Sequence, residues 1–250
     1  MSSGPLVLGD MGHSLFRLGR ARATGRAASA GGRFDVKEVL YLGFEGRPPA
    51  EDFDAFMENV EMQVDVYRMS HRKPLMYTTG FGSMVLLALR ARGKVKDLPS
   101  VIQGAIPWES VRSRAPGAQE EGEEERQRYA NPSFREAFVV DHLHSPLDAL
   151  ERDSFFSGFT TCTAFPQIYG WMNAGWLASL EGQLASRPPA IDDIRVWLCG
   201  EDSVVCEDEH DAAIRALGAS WPTERAAGWG HFPYLDAPGP WIGALQSAWS

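Results

Sequence analysis

Between Pro74 and Arg92 the chain reads Pro-Leu-Met-Tyr-Thr-Thr-Gly80-Phe81-Gly82-Ser83-Met-Val-Leu-Leu-Ala-Leu-Arg-Ala-Arg. A short apolar run turns through two glycines one residue apart and leaves as a Leu- and Ala-rich stretch closed by basic residues and Gly93. The pattern predicts strand, sharp turn and helix. In so tight a turn the two elements lie almost on one another and the apex takes an unusual backbone conformation, which glycine tolerates. The small positions are Gly80 and Gly82, so the turn carries no Ser, Cys or Asp at its apex. Ser83 and Thr79 stand beside it, with oxygens expected to point away. Asp141-His142-Leu143-His144 has two histidines but no supporting ligand cluster, so it reads as surface or capping residues and no metal is expected. The three cysteines, Cys162, Cys199 and Cys206, are too few and scattered for a disulfide framework and read as reduced thiols in or near a core.

The elements that must position this turn alternate along the chain. Pro5–Leu8 is a short β-prone run that breaks at Gly9-Asp10-Met11-Gly12-His13-Ser14. Residues 15 to 33, with five arginines among alanines and glycines, suit an exposed basic helix and loop. Val36–Leu42 predicts a second strand, and Glu51–Met69 a helix whose Phe53, Phe56, Met57, Val60, Val64 and Tyr67 recur at helical spacing. After the turn and its helix, Leu98–Ile106 predicts a further strand ending at Pro107-Trp108-Glu109. Such alternation requires a parallel sheet with crossover helices. The rhythm breaks near Ser110: Gln119–Arg128 is a charge run that reads as a solvated loop or helix face, and residues 129 to 185 are aromatic-rich without a clear strand. That stretch suggests a helical lid over a pocket. Alternation resumes with Ile194–Cys199, a helix over 208 to 217, a strand around 220 to 227 and a closing helix. The expected division is a core of residues 1–109 and 190–250, with 110–189 inserted.

The totals describe an ordinary soluble globular chain. At 250 residues it has ample material for one α/β domain, with 44% hydrophobic and 23% charged residues. A formal net charge of −9 argues against nucleic acid or an anionic membrane as partner. No run approaches a membrane span and the N-terminus lacks a basic segment before an apolar one, so a cytoplasmic location is expected.

The tail Gly228-Trp-Gly230-His231-Phe232-Pro233, followed by a short acidic loop, a proline and a final helix, resembles the α/β-hydrolase family's presentation of its catalytic histidine. His231 stands at that place. Leu198-Cys199-Gly200-Glu201-Asp202-Ser203 similarly resembles the segment that delivers the family's acid, which the resemblance assigns to Asp202, with Glu109 as a weaker alternative. Gly43-Phe-Glu45-Gly46 looks like the loop before its first large helix. The family's nucleophile elbow, G-x-S-x-G, overlays Thr78-Thr79-Gly80-Phe81-Gly82 and places Gly80 where the nucleophile belongs. A second register, from Gly80 to Met84, puts Gly82 at the apex and loses the closing glycine. The likeness covers about residues 5 to 108 and 190 to 250, in the order elbow, acid, histidine.

What the resemblance implies is an α/β fold with a mostly parallel sheet, helices on both faces and a helical lid. A carboxylate bonded to one ring nitrogen would fix the imidazole tautomer so that the other acts as base. The loop at Asp10 and Met11 and the N–H of Phe81 would polarise a carbonyl. The substrate expected is a small, largely apolar carbonyl or ester-like compound, turned over without cofactor. Two alternatives stay open: an ester hydrolase using Ser83 or Thr79, and an inactive relative that binds a ligand or protein partner, with His231 and Asp202 merely tying two loops together.

Overall fold

The structure, a computed structural model, describes residues 6–9, 37–71, 75–186 and 193–249. Its frame is a six-stranded parallel sheet: β1 (Leu6–Leu8), β2 (Lys37–Glu38), β3 (Met76–Thr79), β4 (Ser100–Gln103), β5 (Ile194–Cys199) and β6 (Thr223–Ala226), in the order β2-β1-β3-β4-β5-β6. Val7 pairs with Tyr77, Tyr77 with Val101, Val101 with Arg195 and Trp197 with Glu224, so β3 lies mid-sheet between β1 and β4. All four residues of β3 are buried, as expected for a strand covered by helices on both faces.

Helix α1 (Phe53–Ser70) starts where Asp52 accepts a hydrogen bond from the Ala55 N–H at 2.8 Å, and it buries Phe56, Met57, Val60, Val64 and Tyr67. This is the stripe expected from the spacing, except that Phe53 is only half-buried and packs on Trp171 and Trp176. Helix α2 (Phe81–Ala91) follows the turn and is buried along its whole length.

Three strands are shorter than expected. Of the described residues 37–42, only Lys37–Glu38 form strand, because the N–H and carbonyl of Leu40 bond the side-chain amide of Gln63 on α1 (2.8 and 3.0 Å) instead of a ladder partner. The strand expected over Leu98–Ile106 is confined to Ser100–Gln103, and Gly104 turns the chain away with φ of +79°. The last strand runs only from Thr223 to Ala226.

Between β4 and β5 the described chain forms helices only: α3 (Trp108–Arg112), α4 (Gln119–Arg128), α5 (Pro132–His142), α6 (Ala149–Thr160), α7 (Phe165–Trp171) and α8 (Ala174–Ser186). Asn131 caps α5 through the Ser133 and Phe134 N–H groups, and Asp148 with Glu151 forms a reciprocal capping box on α6. The charge run expected to be a solvated loop or face is α4, and one side of it is packed. A Cβ on Gly122 would lie 2.7 Å from the Pro166 Cα, so α4 and α7 approach closely there. Helices α9 (Glu207–Leu217), α10 (Pro233–Asp236) and α11 (Pro238–Trp249) complete the fold. Buried side chains of α3, of α5 to α8 and of the sheet form one continuous core. No helix among the described residues is long and apolar enough to cross a membrane.

Candidate active site

The turn after β3 has its apex at Gly80, with φ 45° and ψ −119°, a region that L-residues rarely adopt. Phe81 begins α2, and the Ser83 N–H closes the first turn onto the Gly80 carbonyl at 3.0 Å. Gly82 lies inside the helix, pressed on the end of β1: a Cβ there would sit 2.0 Å from the Leu8 carbonyl oxygen and 2.8 Å from that of Gly9. Only glycine lets α2 and the start of the loop after β1 approach this closely. Asp10 and Met11, the expected donors on that loop, lie outside the described residues.

Ser83 is fully buried, its Oγ 3.3 Å from Thr78 Oγ1, and it does not line the cavity above the turn. As an alternative nucleophile it is misplaced, because it occupies the inward side of α2. Burial pushes the Cys162 and Cys199 thiols up to about 12, and Cys206, expected near the core, is exposed. None of the three lines the cavity.

The chain leaves β5 at Gly200 and turns at Asp202, whose Oδ1 accepts hydrogen bonds from the N–H groups of Val204 and Val205 at 2.9 and 3.0 Å. This turn aims the carboxylate back over the sheet. His231, delivered by the loop after β6, places Nδ1 2.9 Å from Asp202 Oδ2 and 3.1 Å from Oδ1. Both side chains are nearly sealed, at 6% and 5% exposure for His231 and Asp202. Burial alone would raise the Asp202 pKa; the hydrogen bond and charge of His231, with the Val205 and Val204 N–H groups, more than reverse it, so it falls below the ordinary value near 3.8. Glu109, the alternative acid, is exposed at the start of α3, 3.4 Å from Arg112, and has no contact with the imidazole.

Three residues that the motifs did not single out hold this corner from below. Gln103 on β4 donates from Nε2 to the His231 carbonyl at 3.2 Å and accepts the Tyr77 hydroxyl at 2.7 Å. Trp241 in turn donates to that hydroxyl at 2.8 Å. A glutamine inside a strand otherwise buried and mostly apolar was the available signal, since a buried amide demands partners.

The helices between β4 and β5 meet the same corner. Ser203 Oγ lies 2.7 Å from His142 Nδ1 and donates to the Asp141 carbonyl at 3.1 Å, while Asp236 accepts the N–H groups of His144 and Ser145 at 3.0 and 2.9 Å. His144 and the chain at Gly230 are in close contact, a Cβ on Gly230 falling 2.8 Å from His144 Cδ2. Burial chiefly lowers the His142 pKa. Gly80, Phe81 and His231 share a cavity of about 340 Å³ with Tyr129, Phe159 and Phe165 of the insertion.

Such an arrangement is able to hold an imidazole in one orientation beside a turn with no side chain. No protein-family model matches the sequence, and no curated protein matches it significantly. Solved structures do match its fold. A carboxylesterase from the thaumarchaeon Nitrososphaera gargenis superposes with a TM-score of 0.62 at 11% identity, covering 98% of this chain and 89% of that one. The haloalkane dehalogenase DbeA from Bradyrhizobium elkani USDA94 gives 0.60 at 12% identity, over 99% and 92%. The type II thioesterase BorB from the borrelidin biosynthetic cluster gives 0.60 at 16% identity, over 100% and 94%. The chain has the α/β-hydrolase fold.

Proposed function

We propose that this protein is an enzyme acting on a small, largely apolar carbonyl or ester-like compound, with His231 as general base and Asp202 as the residue that orients it. The supporting observation is the pairing of His231 Nδ1 with Asp202 beside a cavity that also reaches Gly80. A carboxylate on Nδ1 fixes the tautomer in which Nε2 bears the lone pair. With glycine at the apex, no covalent acyl-enzyme forms on the elbow. His231 instead removes a proton either from a water molecule that attacks the carbonyl or from an acidic carbon next to it. The Phe81 N–H and the loop after β1 are assigned to the developing oxyanion. The helices over residues 110–189 act as the lid, supplying the aromatic wall that excludes water.

The test is turnover of a panel of short-chain nitrophenyl esters and β-keto compounds by the wild type and His231→Ala. Loss of turnover in the variant supports the reading; unchanged turnover, or loss on Ser83→Ala instead, defeats it. The bare apex at Gly80 also favours a second reading, a ligand-binding relative without catalysis. Its mark is saturable binding that survives His231→Ala, with no product detected by mass spectrometry.

A further inference from the structure

Two lining residues of the cavity besides His231 are charged, and they differ in how they are partnered. Glu125 on α4 is answered by Arg128 at 2.8 Å. Arg114, in the connection between α3 and α4, faces no carboxylate within ion-pair distance among the described residues. Its chain neighbours behave otherwise: Arg112 holds Glu181 at 2.6 Å, and Arg126 holds Glu123 at 2.5 Å. What sets Arg114 apart is its place: it lines the cavity, and no described carboxylate lies within ion-pair distance of it.

The guanidinium is nevertheless held in place. Its carbon lies 3.9 Å from the centroid of the Tyr169 ring, and Nη1 donates to the Met172 carbonyl at 3.5 Å. Tyr169 and Met172 themselves line the cavity. Stacking on an aromatic face fixes the plane of the fork without consuming its N–H donors. An oriented fork with donors to spare is the group that takes a carboxylate through two parallel bonds. The rest of the wall is apolar or aromatic, with Met84, Phe159 and Phe165 among its members, and about 340 Å³ is at the small end for ligand cavities.

We infer that Arg114 forms a carboxylate subsite in this cavity, so that the substrate is a small apolar or aromatic acid derivative carrying a free carboxylate apart from its reacting carbonyl. This inference rests on the reading of the cavity as the substrate site and adds the charge of the substrate to it.

The experiment measures binding of 4-phenylbutyrate and of uncharged 4-phenyl-1-butanol by calorimetry, to the wild type, Arg114→Gln, Arg114→Lys and Glu125→Gln. The acid should bind the wild type about tenfold more tightly than the alcohol, as for hydrogen bonds to a charged group. Arg114→Gln should erase that preference while leaving alcohol binding unchanged, Arg114→Lys should retain part of it, and Glu125→Gln should not reduce it. Equal affinities in the wild type, or a preference unaffected by Arg114→Gln, would overturn the subsite. In parallel, turnover of mono-4-nitrophenyl glutarate is compared with that of 4-nitrophenyl butyrate. Arg114-dependent binding with no His231-dependent turnover of either ester or of the β-keto compounds leaves the subsite standing and removes the base reading. His231-dependent turnover with no preference for the charged ester does the reverse.

Discussion

The elbow and the acid–histidine corner are built on opposite principles. At the elbow the backbone does everything: Gly80 holds φ 45° and ψ −119°, and Gly82 leaves no gap against Leu8, yet no side chain is presented. At the corner side chains carry the arrangement, Asp202 on the imidazole of His231 and, behind them, Gln103, Tyr77 and Trp241, joined by hydrogen bonds of 2.7 to 3.2 Å, one of them to the His231 carbonyl. A tight turn is specified by what is missing from it, a dyad by what is supplied and supported. On the proposed function, the chain keeps the tight turn of a nucleophile site and works through a base instead.

The strongest way to break this comparison is to remove the base. His231→Ala is expected to lower turnover by about 10²–10⁴-fold, the usual range for general-base removal, whereas Ser83→Ala changes it little. Steady-state kinetics on any substrate found checks both, and the opposite ranking moves the chemistry onto the hydroxyl. Gly80→Ser sharpens it by restoring what the elbow lacks. The wild type should be silent to a fluorophosphonate probe and the variant labelled at residue 80, because the Ser would stand at the apex of an elbow already shaped for it. A folded variant that stays unlabelled means that His231 does not reach the apex.

Gly82→Ala tests the backbone side alone. A methyl 2.0 Å from the Leu8 oxygen forces β1 and α2 apart, and a loss of about 3 kcal/mol is expected in denaturant unfolding. A loss under about 0.5 kcal/mol, the scale of an innocuous surface change, would show that the contact relaxes freely. The smallest effect concerns acid stability. The Asp202 pKa is lowered on folding, so the stability that its ionised form contributes is complete above about 3.8 and disappears as pH falls through the lower folded value. Asp202→Asn removes this component, and unfolding free energies measured from pH 5 downward should fall less steeply in the variant.

How much of this was legible depends on whether the signal is local. The α/β alternation and the Gly80–Gly82 turn are written in consecutive residues, so fold and apex follow from sequence. The short β2 was not legible, because its ladder is interrupted by Gln63, more than twenty residues away. Glu109 and Asp202 each follow a strand, and only the turn at Val204 and Val205 decides which carboxylate swings toward the imidazole. Gln103 and Arg114 carry no motif at all; their importance comes from what three-dimensional packing brings near them, or fails to.

The segment from Asp141 to Ser145 is tied both to Ser203, one residue past the acid, and to Asp236, beyond the histidine. On the proposed roles of His231 as base and of residues 110–189 as a lid, lifting that end of the lid would drag the base out of alignment. Admission of a molecule and readiness to react are then mechanically coupled, and a gate hinged at this corner would be closed whenever the catalyst is armed.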